Sequence, residues 1–265
     1  MSDAVRRLLM AAGSGGGGGI PNTAWVFDFS DTGNTTIVSS RFKSITDNQQ
    51  SFALSTLTGN GPDVITQNGL NAARFLHASN PSALSGTDAD VELVPFNGLF
   101  RGQTYFVGKL ATYTSQASDA YLFGGGSTSA STPVNAINTA NTSGYPFKRF
   151  FRPSGTGNRQ YWAADDSWHV YRWVYLATAS GDATTGVKFY IDGVDQGAGS
   201  FDIGSALTPQ GSWVTGNCNV FAIGALRRTS VGLYATFDVG EIVHWRGDPV
   251  VDVTADLADK WGISI

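Results

Sequence analysis

One cysteine, Cys218, stands in 265 residues, so no internal disulfide can form and stability has to come from a packed core. Charge is sparse as well: Asp, Glu, Lys and Arg make up 14% of the chain, the formal net charge is −4, and Lys and Arg are scattered after Arg7. That balance leaves no basic footprint for nucleic acid. No apolar run approaches the ~20 residues of a membrane span, so no membrane segment is expected. Glutamate is confined to Glu92 and Glu241, too far apart in sequence to form a carboxylate pair on one strand. The three histidines, His77, His169 and His244, have no metal-ligand spacing. Neither a metal nor a cofactor is expected. Helical periodicity is also scarce, which turns attention to strands.

Short apolar runs separated by Gly, Ser, Thr and Asn recur along most of the chain, the pattern of an all-β sandwich. The clearest stretch runs from Trp168 to Gly197. Trp168 to Leu176 is rich in β-branched and aromatic residues, and Val187, Phe189 and Ile191 alternate with Lys188, Tyr190 and Asp192. Asp192-Gly193 then predicts a tight turn, because both central residues of a type I′ turn need positive φ. Further strands are expected at 24–29, 35–38, 51–54, 69–76, 104–110, 120–123, 219–224 and 236–245. The Gly-, Ser-, Thr- and Asn-rich stretch 124–144 reads as a long loop. Gly124-Gly125-Gly126-Ser127 lacks the Lys of a phosphate loop and reads as a turn. One short helix is expected over 256–261, capped by Asp252 or Thr254 and ended by Gly262.

The amino terminus departs from this pattern. Arg6, Arg7, Leu8, Leu9 and Met10 precede an uninterrupted tract from Gly15 to Gly19, which reads as a peptide, a flexible linker and then a domain. The apolar run is shorter than the roughly 7–15 residues of a signal-peptide core, so no export signal is expected. The division is therefore residues 1–19 as anchoring peptide and linker and 20–265 as the folded domain. Two arginines and three apolar side chains suit docking on a partner, and the entropy of ordering such an arm favours several copies acting together, most simply in a trimer.

A resemblance is carried by five motifs in order: Gly69-Leu-Asn-Ala-Ala-Arg-Phe75, the hairpin from Trp168 to Val194, Phe221-Ala-Ile-Gly224, Gly240-Glu-Ile-Val243 and Leu257-Ala-Asp-Lys-Trp-Gly262. From about residue 22 to 263 the chain resembles a concanavalin A-like lectin/glucanase domain of the laminin-G type. Where that family usually has an acidic-aromatic turn, Trp245-Arg246-Gly247-Asp248-Pro249 stands here. The resemblance implies a two-sheet jelly-roll sandwich. It also implies a glycan-binding class of module, and one that occurs in phage virion proteins whose amino-terminal peptides dock on the particle.

The glucanase branch carries Glu-x-Asp-x-x-Glu on one strand, and this chain does not, so a non-enzymatic role is expected. Tyr171, Trp173 and Tyr175 fall on one face of a strand at i, i+2, i+4 spacing, and Trp162 lies at its approach. Flat rings suit sugar faces, so these four form the candidate glycan site, with Trp168, Val170, Val174 and Leu176 turned to the core. The leading expectation is an attachment or decoration protein of a phage-like virion, made in the host cytoplasm and docked on capsid or tail proteins through Arg6 to Met10. A free lectin and a glycan-cleaving enzyme are the alternatives. Removing residues 1–19 is expected to leave a single cooperative melting transition; loss of that transition in calorimetry would show that the arm belongs to the fold.

Overall fold

The computed structural model describes residues 20–21, 23–57, 59–77, 81–88, 93–95, 101–110, 119–129, 134–140, 147–152, 158–162, 165–176, 187–197, 200–202, 218–247 and 251–265. The anchoring residues Arg6, Arg7, Leu8, Leu9 and Met10 lie outside them. In chain order the strands are β1 (Trp25–Asp28), β2 (Thr35–Val38), β3 (Arg41–Thr46), β4 (Ala53–Thr56), β5 (Asp63–Gln67), β6 (Leu70–Phe75) and β7 (Leu84–Thr87). They continue with β8 (Arg101–Leu110), β9 (Asp119–Gly126), β10 (Val134–Ala140), β11 (Phe147–Arg152), β12 (Asn158–Trp162) and β13 (Trp168–Leu176). Then come β14 (Val187–Ile191), β15 (Val194–Asp195), β16 (Ser200–Asp202), β17 (Val220–Ile223), β18 (Leu226–Arg227), β19 (Val231–Gly232), β20 (Phe237–Arg246) and the helix α1 (Thr254–Trp261). The fold is all-β with one short carboxyl-terminal helix.

Antiparallel pairing resolves into two ladders. The first runs β15–β14–β13–β8–β20, and β20 continues on its other side against β1 at one end and β6–β5 at the other. The second runs β2–β3–β4–β7–β17–β9–β10–β11–β12–β16. They join through one residue pair, Arg41 opposite Asp63, whose side chains also form an ion pair at 3.1 Å. Rings from the two sheets meet in the interior: Phe27 stacks on Phe221 at 5.4 Å, Phe106 lies tilted against Phe123 at 5.6 Å, and Trp173 meets Phe123 edge-on at 6.5 Å. This is a two-sheet sandwich, as the alternating apolar runs predicted.

A third layer covers the first sheet. Leu257, Ala258 and Trp261 of α1 pack with Val107, Val170, Val243 and Trp245 on the face turned away from the second sheet. Trp261 stacks on Trp168 at 6.2 Å with an interplanar angle of 5°. Room for this ring comes from a bulge in β20: the register against β8 shifts between Val239 and Glu241, so Gly240 is an extra residue. A Cβ at Gly240 would stand 2.7 Å from the Trp261 ring, which only glycine avoids. The bulge also turns Glu241 under the helix. Its Oε2 accepts from Lys260 Nζ at 2.5 Å and from Trp261 Nε1 at 3.2 Å, and Lys260 Nζ donates to Asp28 Oδ2 at 2.7 Å. Burial alone would push the Lys260 ammonium down, but the attraction of Glu241 and Asp28 overrides it and holds the pKa above the usual lysine value.

The helix ends are satisfied largely from other elements. Gly262 takes φ 66 at the carboxyl end, and the β5–β6 turn supplies Gln67 Nε2 to the Trp261 carbonyl at 3.1 Å and Asn68 Nδ2 to the Lys260 carbonyl at 3.0 Å. At the amino end the cap residue is Val253, not Asp252 or Thr254. Its N–H bonds the Tyr105 hydroxyl at 3.1 Å, and Asp252 Oδ1 accepts from the Thr254 N–H at 3.0 Å. A tertiary donor-acceptor pair has replaced the local cap.

Lys260→Met is expected to cost about 3–5 kcal/mol, the range for stranding buried carboxylates without their cation. The measurement is the denaturant midpoint at unchanged m-value, and adding Glu241→Gln should recover part of the loss.

Candidate binding face

Tyr171 and Trp173 share a face of β13, as their spacing required, but that face is the interior of the sandwich. Tyr171 stacks on Phe106 at 5.7 Å and on Phe189 at 6.2 Å, Trp173 lies 4.9 Å from Phe189, and neither ring has any exposed surface. The expectation that they form an open sugar platform is corrected: they are core. Val170 and Val174, on the other face, are buried too, Val170 beneath α1. A strand with a layer on each side has no polar face to mark which way it points. The Tyr175 and Trp162 side chains lie outside the described ones. By strand pairing Trp162, on β12, belongs to the second sheet and Tyr175 to the first, so the four candidates do not form one surface row.

Carboxylates across the described residues hold the fold. Asp238 takes a two-pronged bond from Arg74 at 2.7 and 2.8 Å. Asp252 pairs with Arg172, whose Nε also donates to Gln103 Oε1 at 2.8 Å and whose guanidinium lies over Tyr190 at 5.1 Å. Asp47 is buried and accepts from the backbone N–H groups of Val26, Gln49 and Gln50. Asp192 sits at φ 51 before Gly193 at φ 80, the predicted turn, and its Oδ1 accepts from the Val170 N–H at 2.8 Å. Asp192 Oδ2 and Asp165 Oδ1 clamp the two ring nitrogens of His169 at 2.5 and 2.8 Å.

The outer face of the second sheet is lined by small residues. Leu54, Leu84, Phe221, Ile223 and Ile137 point inward, so their neighbours Ser55, Ser85, Ala222, Gly124 and Ala136 point out. These neighbours stand opposite one another in register across β4, β7, β17, β9 and β10. Along this row Ser55 is exposed and Gly124 half-buried, whereas Ser85, Ala222 and Ala136 are buried. The stretch expected to be a loop is therefore largely sheet: Gly124 to Gly126 end β9, and Val134–Ala140 is β10.

Gly126 is explained by the β18–β19 hairpin, which crosses this face. A Cβ at Gly126 would lie 2.3 Å from the Arg227 carbonyl oxygen, so the hairpin backbone rests directly on the strand. Leu226 packs with Tyr121 and Ala136, and the Tyr121 N–H bonds the Leu233 carbonyl at 2.9 Å. Beside the crossing, Asn219 fixes the strand exit by accepting from the Thr128 N–H at 2.9 Å and donating to its hydroxyl at 2.9 Å. Arg227 reaches from the hairpin to this row, where its Nη1 donates to Ser85 Oγ at 2.6 Å. Sequence reasoning missed this face because its signal is an absence of bulk, spread over strands far apart in the chain.

No protein family and no curated protein matches the chain. Among solved structures it is similar to the binding domain of botulinum neurotoxin DC in complex with rat synaptotagmin II, with a TM-score of 0.55 at 8% identity over 91% of this chain and 51% of that one. It is similar also to the binding domain of Paraclostridial Mosquitocidal Protein 1, with a TM-score of 0.52 at 9% identity over 91% of this chain and 52% of that one. The NanB sialidase of Streptococcus pneumoniae, as its K499G mutant, is matched at 14% identity and a TM-score of 0.43, over 68% of this chain and 26% of that one. The chain thus spans about half the length of the binding domains and about a quarter of the sialidase. What is shared with the binding domains is the fold.

The His169 clamp gives the domain a pH dependence. The hydrogen bond to Asp192 raises the imidazole pKa, with Asp165 adding to it and burial opposing. A raised folded-state value makes this stabilisation complete below the unfolded pKa of about 6.5 and removes it as pH rises through the folded value. Melting temperature is expected to fall as pH rises past about 6.5 in the wild type, and His169→Gln should flatten that slope; parallel slopes would show that folding does not shift the His169 pKa.

Proposed function

We propose that the chain is a non-enzymatic attachment module of a phage-like virion, docked through its amino-terminal arm and presenting the outer face of its second sheet to a glycan. The observation that carries the reading is the outward row of small side chains from Ser55 to Ala136, exposed at Ser55 and flanked by half-buried Arg227, a hydroxyl and a guanidinium of the kind that hydrogen-bond sugar hydroxyls. The fold shared with two binding domains, one of them in complex with synaptotagmin II, supports a binding role. So does the employment of Asp28, Asp47, Asp238 and Glu241 in holding the sandwich together. Virion docking is supported by the arm itself, where Arg6, Arg7, Leu8, Leu9 and Met10 precede the linker of Gly15 to Gly19, and by the laminin-G resemblance. A homotrimer would let weak individual arms act together.

Full-length protein on a glycan array is expected to bind a defined subset of sugars without releasing reducing ends. Failure to bind any sugar would overturn the glycan reading. Replacing Leu8 and Leu9 with Asp is expected to strip the protein from purified particles while leaving melting and array binding unchanged; wild-type copy number on the particle would refute the docking.

A further inference from the structure

Two carboxylates close on the two ring nitrogens of one histidine. His169 Nδ1 lies 2.5 Å from Asp192 Oδ2, and Nε2 lies 2.8 Å from Asp165 Oδ1. An ionised carboxylate only accepts, whereas a neutral imidazole has one N–H and one bare nitrogen, which would set lone pair against lone pair at one of the two contacts. Both contacts hold together only when the ring carries two protons. The charges acting on it are those of Asp192 and Asp165. Tyr171 meets the ring edge-on at 5.5 Å, Gly108 stands opposite on β8, and Lys109, opposite Trp168, belongs to the other face of the sheet.

The two carboxylates are not equivalent. Asp192 is 17% exposed, is fixed in the positive-φ turn and uses its other oxygen to accept from the Val170 N–H at 2.8 Å. Asp165 is 64% exposed, and its Oδ1 accepts also from the Ser167 N–H at 2.7 Å. Water can take the place of the ring at an exposed carboxylate at little cost, but reaches Asp192 only by opening the turn. A ring that loses one proton therefore keeps Nδ1–H on Asp192 and gives up Asp165.

The contact that is given up has a place in the topology. β12 pairs within the second sheet and β13 within the first, so Asp165 lies on the connection that carries the chain from one sheet to the other. We infer that Asp165, His169 and Asp192 form a proton-operated latch on this crossover. Closed, it ties the segment from Asp165 to Ser167 to the Asp192 turn; open, it frees that segment while the turn and β13 stay in place. The hydrogen bond to Asp192 raises the imidazole pKa, so the latch is closed at pH of about 6.5 and opens as pH rises through the folded value. This is a change of local order, independent of what the second sheet binds.

Nitrogen NMR of the His169 ring, with relaxation-derived order parameters for the amides of Asp165, Asp166 and Ser167, tests it on full-length protein between about pH 5 and about pH 9. The expected result is a titration in which Nε2 loses its proton and Nδ1 keeps it. Over the same range the three order parameters should fall from about 0.85 toward about 0.6, with Val170 unchanged. Asp165→Asn offers an amide that can accept from the charged ring or donate to the bare nitrogen, so this variant should hold the segment ordered at every pH. A neutral ring protonated at Nε2, order parameters that do not follow the ring titration, or a ring that keeps both protons throughout would each overturn the latch. So would loss of order in Asp165→Asn as its ring titrates.

Discussion

One half-buried cation organises the molecule. Lys260 Nζ sits between Asp28 of β1 and Glu241 of β20, and those two residues face each other in the strand register. The helix is thereby bound to the centre of the first sheet by charge as well as by the Trp261 ring on Gly240. Neither carboxylate tolerates loss of the ammonium, because a desolvated charge without its partner costs far more than the pair contributes. From this clamp follows the layering. The first sheet becomes the middle of three layers, both faces of β13 are enclosed, and the second sheet is left to present an outer face.

That outer face is shaped by what its residues omit. Inward positions of β4, β7, β17 and β10 carry Leu, Phe and Ile, while the outward row carries Ser, Ala and Gly. Small outward residues allow the β18–β19 hairpin to lie on the sheet at Gly126, and the hairpin delivers Arg227 to Ser85.

Much of the fold could be read from residue order, and the reasons are local. Asp192-Gly193 specified a type I′ turn because both positions need positive φ, and Gly262 ended the helix for the same steric reason. Period-two alternation placed β14. What could not be read was direction. On β13 His169, Tyr171 and Trp173 oppose Val170, Arg172 and Val174, so each face carries one polar residue among apolar ones, and Arg172 is itself buried against Gln103 and Asp252, which leaves no clear mark of which face is core and which lies under the helix. Gly124 to Gly126 suggested a loop because glycine weakens strands in general, yet here the missing side chains admit another backbone. The pairing of Arg227 with Ser85 spans 142 positions, beyond the reach of any motif.

The central claim is that ligand is read on the outer face of the second sheet, not by the aromatic core of β13. Amide chemical-shift mapping of isotope-labelled protein, titrated with the tightest-binding glycan from the array, tests it most directly. The account predicts perturbations at Ser55, Ser85, Ala222, Gly124 and Arg227, with the amides of α1 and β13 unmoved. Shifts confined to the side of the molecule where Trp168 stacks on Trp261 would contradict it.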